Sequence, residues 1–140
     1  MSEDVKARVR RAVNAWMTDN PDVLDEAFAT DVVYHMPPFP DLIGIAAQKQ
    51  FIAGFRAAFP DFQVIIDEDI IEDNRSTHRW HCHGTYSGQS PMLPVPPTGK
   101  QSSASGSLVF HWQDGKIVEA WHFGDWLGWL QGAGVLPPLG

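Results

Sequence analysis

The sequence predicts an α+β fold in which N-terminal helices pack on a curved, mainly antiparallel sheet, and three observations support this prediction. Apolar residues recur at helical spacing in the first 28 residues and again over 45–59. From residue 62 onward, β-branched and aromatic runs are separated by turn residues. The 140 residues are 44% hydrophobic, which is enough apolar mass for one core, so we expect a single domain over 1–140.

The helices are predicted from apolar spacing and from the residues at their ends. Carboxylates at Glu3 and Asp4 favour a helix N-terminus, because they complement the helix dipole. Asn20-Pro21-Asp22 ends the first helix and begins a short second one. Helices are therefore predicted over 3–18, just after Pro21, over 45–59 and over 125–131.

The strands are predicted over 31–36, 62–72, 77–86, 101–112 and 117–123. Asp114-Gly115 predicts a tight turn between the last two strands, because these residues tolerate the positive φ that such a turn requires. Counting outward from this turn pairs His111 with a residue in 118–120. An antiparallel meander behind N-terminal helices makes a cone, and its open end can hold a ligand.

The composition excludes several classes of protein. The formal net charge is −7 at pH 7, whereas contact with nucleic-acid phosphates needs concentrated positive charge. No apolar run approaches the roughly 18 residues that would cross a bilayer, so we expect no membrane partner. The N-terminus lacks the features of a signal peptide, which predicts a cytoplasmic protein. Cys82 stands alone, and we interpret it as a buried, inert thiol.

Asp125 is the first candidate catalytic residue. The sequence has no Gly-rich phosphate loop, nucleophile elbow or zinc-binding helix motif, which leaves acid–base chemistry by histidine and carboxylate. Asp125 lies between Trp121 and Trp126, and a carboxylate that loses solvation among indoles becomes a stronger base. The alternative is that Asp125 caps the final helix. Both roles are compatible only if one carboxylate oxygen stays free.

His111 is the second candidate. Period-2 alternation places Val109 and His111 on one face of their strand, and Phe110 and Trp112 on the other. His111 can assist Asp125 only if both side chains point into the cone. The alternative is a hydrogen-bonded core histidine. We interpret His78 and His122 as surface or packing residues.

Two further patterns leave alternatives open. His81 and His83 share a strand face and suit a metal ion with His35 or Glu119 as third ligand, but such a pair arises easily by chance, and we assign no metal. Three of the six Trp residues lie around Asp125, which suits either a stacked aromatic ligand or an oligomer interface. Apolar residues on both faces of 107–112 favour a homodimer formed through the sheet.

Several segments together resemble the SnoaL-like polyketide (ester) cyclase family. They are Phe59-Pro60-Asp61-Phe62, Gly84-Thr85-Tyr86-Ser87-Gly88, Pro97-Thr98-Gly99-Lys100, Asp114-Gly115-Lys116-Ile117-Val118-Glu119-Ala120-Trp121 and Asp125-Trp126-Leu127-Gly128. Their order and spacing cover nearly the whole chain. The resemblance implies the cone-shaped α+β barrel of the nuclear transport factor 2-like superfamily.

The resemblance also implies an activity, which is cofactor-free aldol ring closure of a polyketide ester. Asp125 matches the family's general base, and His111 matches an assisting basic residue 14 positions earlier. Related isomerase or dehydratase chemistry, and non-catalytic binding of a small hydrophobic or aromatic molecule, are the alternatives. We expect the ligand to contact Trp16, His35, Phe55, Trp80, His83 and Trp121.

Overall fold

The computed structural model describes residues 2–139 and confirms the predicted α+β class, with helices packed on a six-stranded sheet. The helices are α1 (Ser2–Val13), α2 (Leu24–Ala27), α3 (Ile45–Ala58) and α4 (Trp126–Gly132). The strands are β1 (Phe28–His35), β2 (Leu42–Ile43), β3 (Gln63–Glu72), β4 (Arg75–Thr85), β5 (Gln101–Gln113) and β6 (Lys116–Gly124).

Two elements differ from the prediction. The first helix was predicted over 3–18, but it ends at Val13 and continues as a 3-10 turn over Asn14–Trp16. Strand β2 was not predicted, because two residues are too short to show a period. The strand order is β2-β1-β6-β5-β4-β3, in which β3 to β6 form the predicted antiparallel meander and β1 runs parallel to β6.

The β5–β6 hairpin has the predicted turn and register. Asp114 and Gly115 both have positive φ, at 52° and 77°, which is the backbone of a type I′ turn. His111 pairs with Glu119, within the range counted from the turn. The register shifts by one residue between His111 and Trp112, so the pairing depends on this irregularity as well as on the turn.

The sheet has an inner face, covered by the helices, and an outer face. On β5 the even-numbered side chains Leu108, Phe110 and Trp112 are buried, whereas Val109 and His111 between them are only half-buried. The same alternation makes the even-numbered side chains of β4 point inward, and those of β6 from Ala120 onward, whereas Ile117 is the inward residue before the register shift. This alternation decides which side chains can reach a cavity under the helices.

A buried polar chain attaches α1 to the inner face. Arg10 donates to Asp69, with Nη2 2.8 Å from Oδ2, and His78 Nδ1 lies 2.7 Å from Asp69 Oδ1. His78 Nε2 lies 2.8 Å from Ser76 Oγ, which also accepts from the Trp112 indole at 2.9 Å. Every group has a partner when His78 is neutral, and burial of His78 lowers its pKa. The chain therefore holds the helix over the sheet without an uncompensated buried charge.

Among residues 2–139, no helix is long and apolar enough to span a membrane.

Candidate functional site

A cavity of about 50 Å³ lies between the helices and the inner face of the sheet. It has room for roughly three water molecules at about 15 Å³ each. Six of its sixteen lining residues are Trp or Phe, namely Trp16, Phe55, Phe62, Trp80, Trp126 and Trp129. The lining residues with polar side chains are Tyr34, His122 and Asp125, and Cys82 contributes its thiol. The lining is typical of a small-molecule site, whereas the volume is smaller than the roughly 300–1,000 Å³ of most such sites.

Four of the residues predicted for the site lie in this wall. Trp16, Phe55 and Trp80 were expected to contact ligand, and Asp125 was the predicted base. Trp16 extends from the turn after α1 and packs edge-on against Phe55 of α3, with ring centroids 5.4 Å apart. The helices and the sheet thus bring together residues that are far apart in sequence.

The other four predicted residues lie on the outer face and do not reach the cavity. His83 on β4, His111 on β5 and Trp121 on β6 all occupy odd-numbered positions of their strands, whose side chains point away from the helices. His35 on β1 packs against Trp121 there, with ring centroids 5.2 Å apart. Strand alternation therefore places these four side chains away from the cavity.

His111 and Asp125 are not brought together, contrary to the expectation that both point into the cone. The Asp125 backbone N–H donates to the Ser105 carbonyl at 3.2 Å, which sets Asp125 level with residue 105 of β5. His111 lies six residues further along that strand, which at about 3.3 Å per residue is roughly 20 Å away. His111 instead packs on Trp121, with ring centroids 4.7 Å apart.

Asp125 combines the two roles that the sequence left open. Its Oδ1 accepts from the Gly128 N–H at 2.8 Å, which makes it the N-cap of α4. Among residues 2–139, no group donates to Oδ2, so this oxygen is free at the cavity rim. The side chain is exposed, and the predicted desolvation by neighbouring indoles is not observed. Trp121 lies on the opposite face of the sheet, so it cannot shield this carboxylate.

His122 is a cavity residue that the sequence interpretation missed. Its Nδ1 lies 3.0 Å from the Tyr34 hydroxyl, and both side chains are buried. Its ring packs among Trp16, Trp80 and Trp126, with centroids 6.0, 5.4 and 6.2 Å away. Burial lowers the pKa of His122 to about 4 and raises the pKa of Tyr34 above its usual value. His122 pairs with Leu108 across the hairpin, and this pairing predicts that both side chains point to the same face of the sheet.

Three indole N–H groups around the cavity lack an acceptor. The Nε1 atoms of Trp80, Trp126 and Trp129 are buried, and within residues 2–139 none has a hydrogen-bond partner. Buried donors usually find partners, because an unpaired one costs about 1–3 kcal/mol. These nitrogens are also buried toward the cavity, so their N–H groups are not presented to a ligand in this structure.

Neither a nucleophile nor a metal centre is formed by the remaining candidates. Burial raises the pKa of the Cys82 thiol to about 12, so it stays protonated at neutral pH. His81 lies on the outer face, where its Nδ1 is 2.7 Å from Asp67 Oδ2. Two strands, β5 and β6, separate His81 from His35, which was one of its proposed co-ligands. In the described part of the chain, no three His, Cys, Asp or Glu side chains are grouped to hold a metal ion.

Comparison with known proteins relates the chain to one family. The family model for SnoaL-like polyketide cyclases matches residues 6–132. A provisionally assigned SnoaL-like polyketide cyclase from Jannaschia sp. CCS1 is similar in structure, with a TM-score of 0.84 and 22% identity over 97% of this chain and 94% of that one. A search of curated proteins returns no match.

Two further solved structures are similar. AclR, a provisionally assigned hydroxylase from Streptomyces galilaeus, has a TM-score of 0.82 and 26% identity over 100% of this chain and 86% of its own. A protein from Catenulispora acidiphila with a ketosteroid isomerase-like fold, solved with trimethylamine, has a TM-score of 0.74 and 16% identity over 92% and 93% of the two chains. These neighbours confirm the predicted nuclear transport factor 2-like fold.

Proposed function

Because the chain belongs to the SnoaL-like polyketide cyclase family, we propose that it catalyses ring closure of a small polyketide or related ester. In this proposal Asp125 removes a proton from a carbon next to a carbonyl, and the resulting enolate attacks a second carbonyl of the same molecule. The reaction needs no cofactor, because the substrate supplies both the carbon acid and the electrophile. A positioned base of this kind contributes roughly 10²–10⁴-fold to the rate.

The observation that carries the proposal is the free Oδ2 of Asp125 at the rim of an apolar cavity. Asp125 is the carboxylate among the lining residues, and its other oxygen is held by the Gly128 N–H. The cap fixes the direction of the carboxylate, which favours a near-attack geometry. His111 has no part in this proposal, because it lies on the outer face.

Non-catalytic binding of a small aromatic molecule is the second candidate. The exposure of Asp125 favours it, because a hydrated carboxylate is a weaker base than a desolvated one. The aromatic wall serves binding equally well. Isomerase or dehydratase chemistry would use the same carboxylate and differs only in the fate of the enolate.

Proton exchange separates catalysis from binding before a natural substrate is known. The protein is incubated in heavy water with a panel of aryl β-keto esters, and loss of the α-proton is followed by NMR above the spontaneous rate. We expect excess exchange with the wild type and about 10²-fold less with Asp125→Asn, which keeps a capping side chain. Asp31→Asn, at an exposed position on β1, is the matched control and should exchange normally. Equal exchange by wild type and Asp125→Asn would refute the assigned base.

A further inference from the structure

We propose that Tyr34 is a positioning residue that holds His122 in the tautomer protonated at Nε2, so that His122 donates a hydrogen bond to the developing oxyanion. The oxyanion part rests on the proposed function, whereas the tautomer does not. Tyr34 and His122 both lie on the inner face of the sheet, and neither was predicted from the sequence as a ligand contact.

The direction of the Tyr34–His122 hydrogen bond follows from counting donors and acceptors. The Tyr34 hydroxyl has one partner within residues 2–139, and that partner is His122 Nδ1 at 3.0 Å. If Nδ1 carried the proton and donated it, the phenol proton would have no acceptor in a buried site, which is costly. The opposite arrangement leaves Nε2–H without a protein acceptor within residues 2–139, but Nε2 is not among the fully buried unpartnered atoms, so water or a ligand can accept from it. The phenol therefore donates to Nδ1, and the imidazole proton lies on Nε2.

The Nε2–H group is available for a ligand. Within residues 2–139 no acceptor bonds it, and His122 keeps 8% of its surface exposed. A Cβ built on Gly124 would lie 3.4 Å from Nε2, and Gly124 is itself part of the cavity wall. The same Cβ would lie 3.1 and 3.3 Å from Trp80 Cη2 and Cζ2, so the glycine keeps a side chain out of the space beside this donor.

The surroundings keep the imidazole neutral, so it acts as a donor and not as a base. Aromatic rings of Trp16, Trp80 and Trp126 pack around it. The titratable groups that line the same cavity are Tyr34, Cys82 and Asp125. A neutral donor aimed at an oxyanion in a dry site contributes roughly 10²–10³-fold to a rate. In this proposal Asp125 removes the proton from carbon, and His122 stabilises the oxyanion of the enolate.

The first test determines which ring nitrogen of His122 carries the proton. Long-range ¹H–¹⁵N spectra at pH 7 distinguish a protonated Nε2 from a protonated Nδ1, and the signals of His122 are assigned by their loss in His122→Gln. We expect the Nε2–H pattern in the wild type and a mixture of tautomers in Tyr34→Phe. An Nδ1–H pattern in the wild type overturns the proposal even if Tyr34→Phe fails to fold. An unchanged pattern in folded Tyr34→Phe also overturns it.

The second test measures whether the His122 Nε2–H group donates to a bound oxyanion. 4-Nitrophenolate mimics an enolate oxygen, and its binding is followed by absorbance and by the shift of the His122 Nε2 proton. We expect a downfield shift of that proton with the wild type and at least tenfold weaker binding by His122→Gln. No binding by the wild type, or binding without a proton shift, overturns the donor assignment. Both readouts are independent of turnover, so failure of the proton-exchange experiment would refute the proposed function and leave these results interpretable.

Discussion

The Tyr34 hydroxyl on β1 and the His122 imidazole on β6 lie 3.0 Å apart beneath the helices, in a wall that is otherwise mostly apolar. The two strands run parallel, and Tyr34 is paired with Ala120. His122 is the next residue of β6 whose side chain points to the same face, so it lies within reach of Tyr34. This buried bond links the strand contributed by the N-terminal part of the chain to the C-terminal hairpin.

Removing one partner of this bond should destabilise the fold. Tyr34→Phe leaves His122 Nδ1 buried without a donor, and we expect the free energy of unfolding to fall by about 1–3 kcal/mol. Urea denaturation of Tyr34→Phe, His122→Phe and the double variant measures the coupling. The double variant should lose less than the sum of the single losses, because it leaves no orphaned group. Strict additivity would show that the two side chains do not interact.

Asp125 should have separable effects on stability and on exchange. Asp125→Ala removes the cap of α4 and should cost about 1 kcal/mol, whereas Asp125→Asn retains a capping oxygen and should cost little. Both should lose the proton-exchange activity. Thermal unfolding and exchange measured on the same samples test this prediction. A fully active Asp125→Ala would contradict the role of the carboxylate.

The bond between Arg10 and Asp69 should make stability depend on acid pH. Donation by Arg10 holds the pKa of Asp69 below its ordinary value. The contribution is therefore present above the unfolded pKa of about 3.9 and is lost as pH falls through the folded value. Asp69→Asn should be less stable than wild type at pH 7 and should approach it as the pH falls through the folded pKa of Asp69. A stability difference that stays constant over this range would exclude the ionised form as its source.

His35 on the outer face should give the opposite pH dependence. Its Nδ1 lies 2.9 Å from Asp41 Oδ1 and its Nε2 lies 2.7 Å from Glu119 Oε2. Carboxylates only accept, so both ring nitrogens are protonated, and Glu119, followed by Asp41, raises the pKa of His35. The stabilisation is complete below about pH 6.5 and is lost as pH rises through the folded value. His35→Gln should therefore lower the unfolding midpoint at pH 6 and barely change it at pH 9.

The homodimer formed through the sheet stays a prediction that the outer face supports. Ile43, Ile65 and Phe123 lie on this face and are 62%, 48% and 49% exposed. Light scattering should give twice the chain mass for the wild type, and Phe123→Lys should shift it toward the monomer. A monomeric wild type at working concentration would contradict this prediction.

The sequence predicted the elements and the hairpin register, but it did not predict which face of the sheet is buried. Alternation shows that Val109 and His111 share a face, yet only the packing of α1 and α3 decides which face lies inside. The larger side chains Leu108, Phe110 and Trp112 indicate that their face of β5 is the buried one. Because Leu108 pairs with His122, the same face of β6 contains His122, which could have been predicted as an inner residue. The free oxygen of Asp125 and the contact from Tyr34 depend on tertiary geometry, which local spacing does not contain.

The parallel pairing of β1 with β6 also constrains the order of folding. Val33 pairs with Glu119, so residues 86 positions apart must meet before the sheet is complete. Closing a loop of that length is entropically costly and slows folding relative to local contacts. During synthesis, the N-terminal helices and β1 leave the ribosome long before 116–124 exist. The antiparallel meander of β3 to β6 can form from local hairpins, so we expect it to assemble first and β1 to dock last.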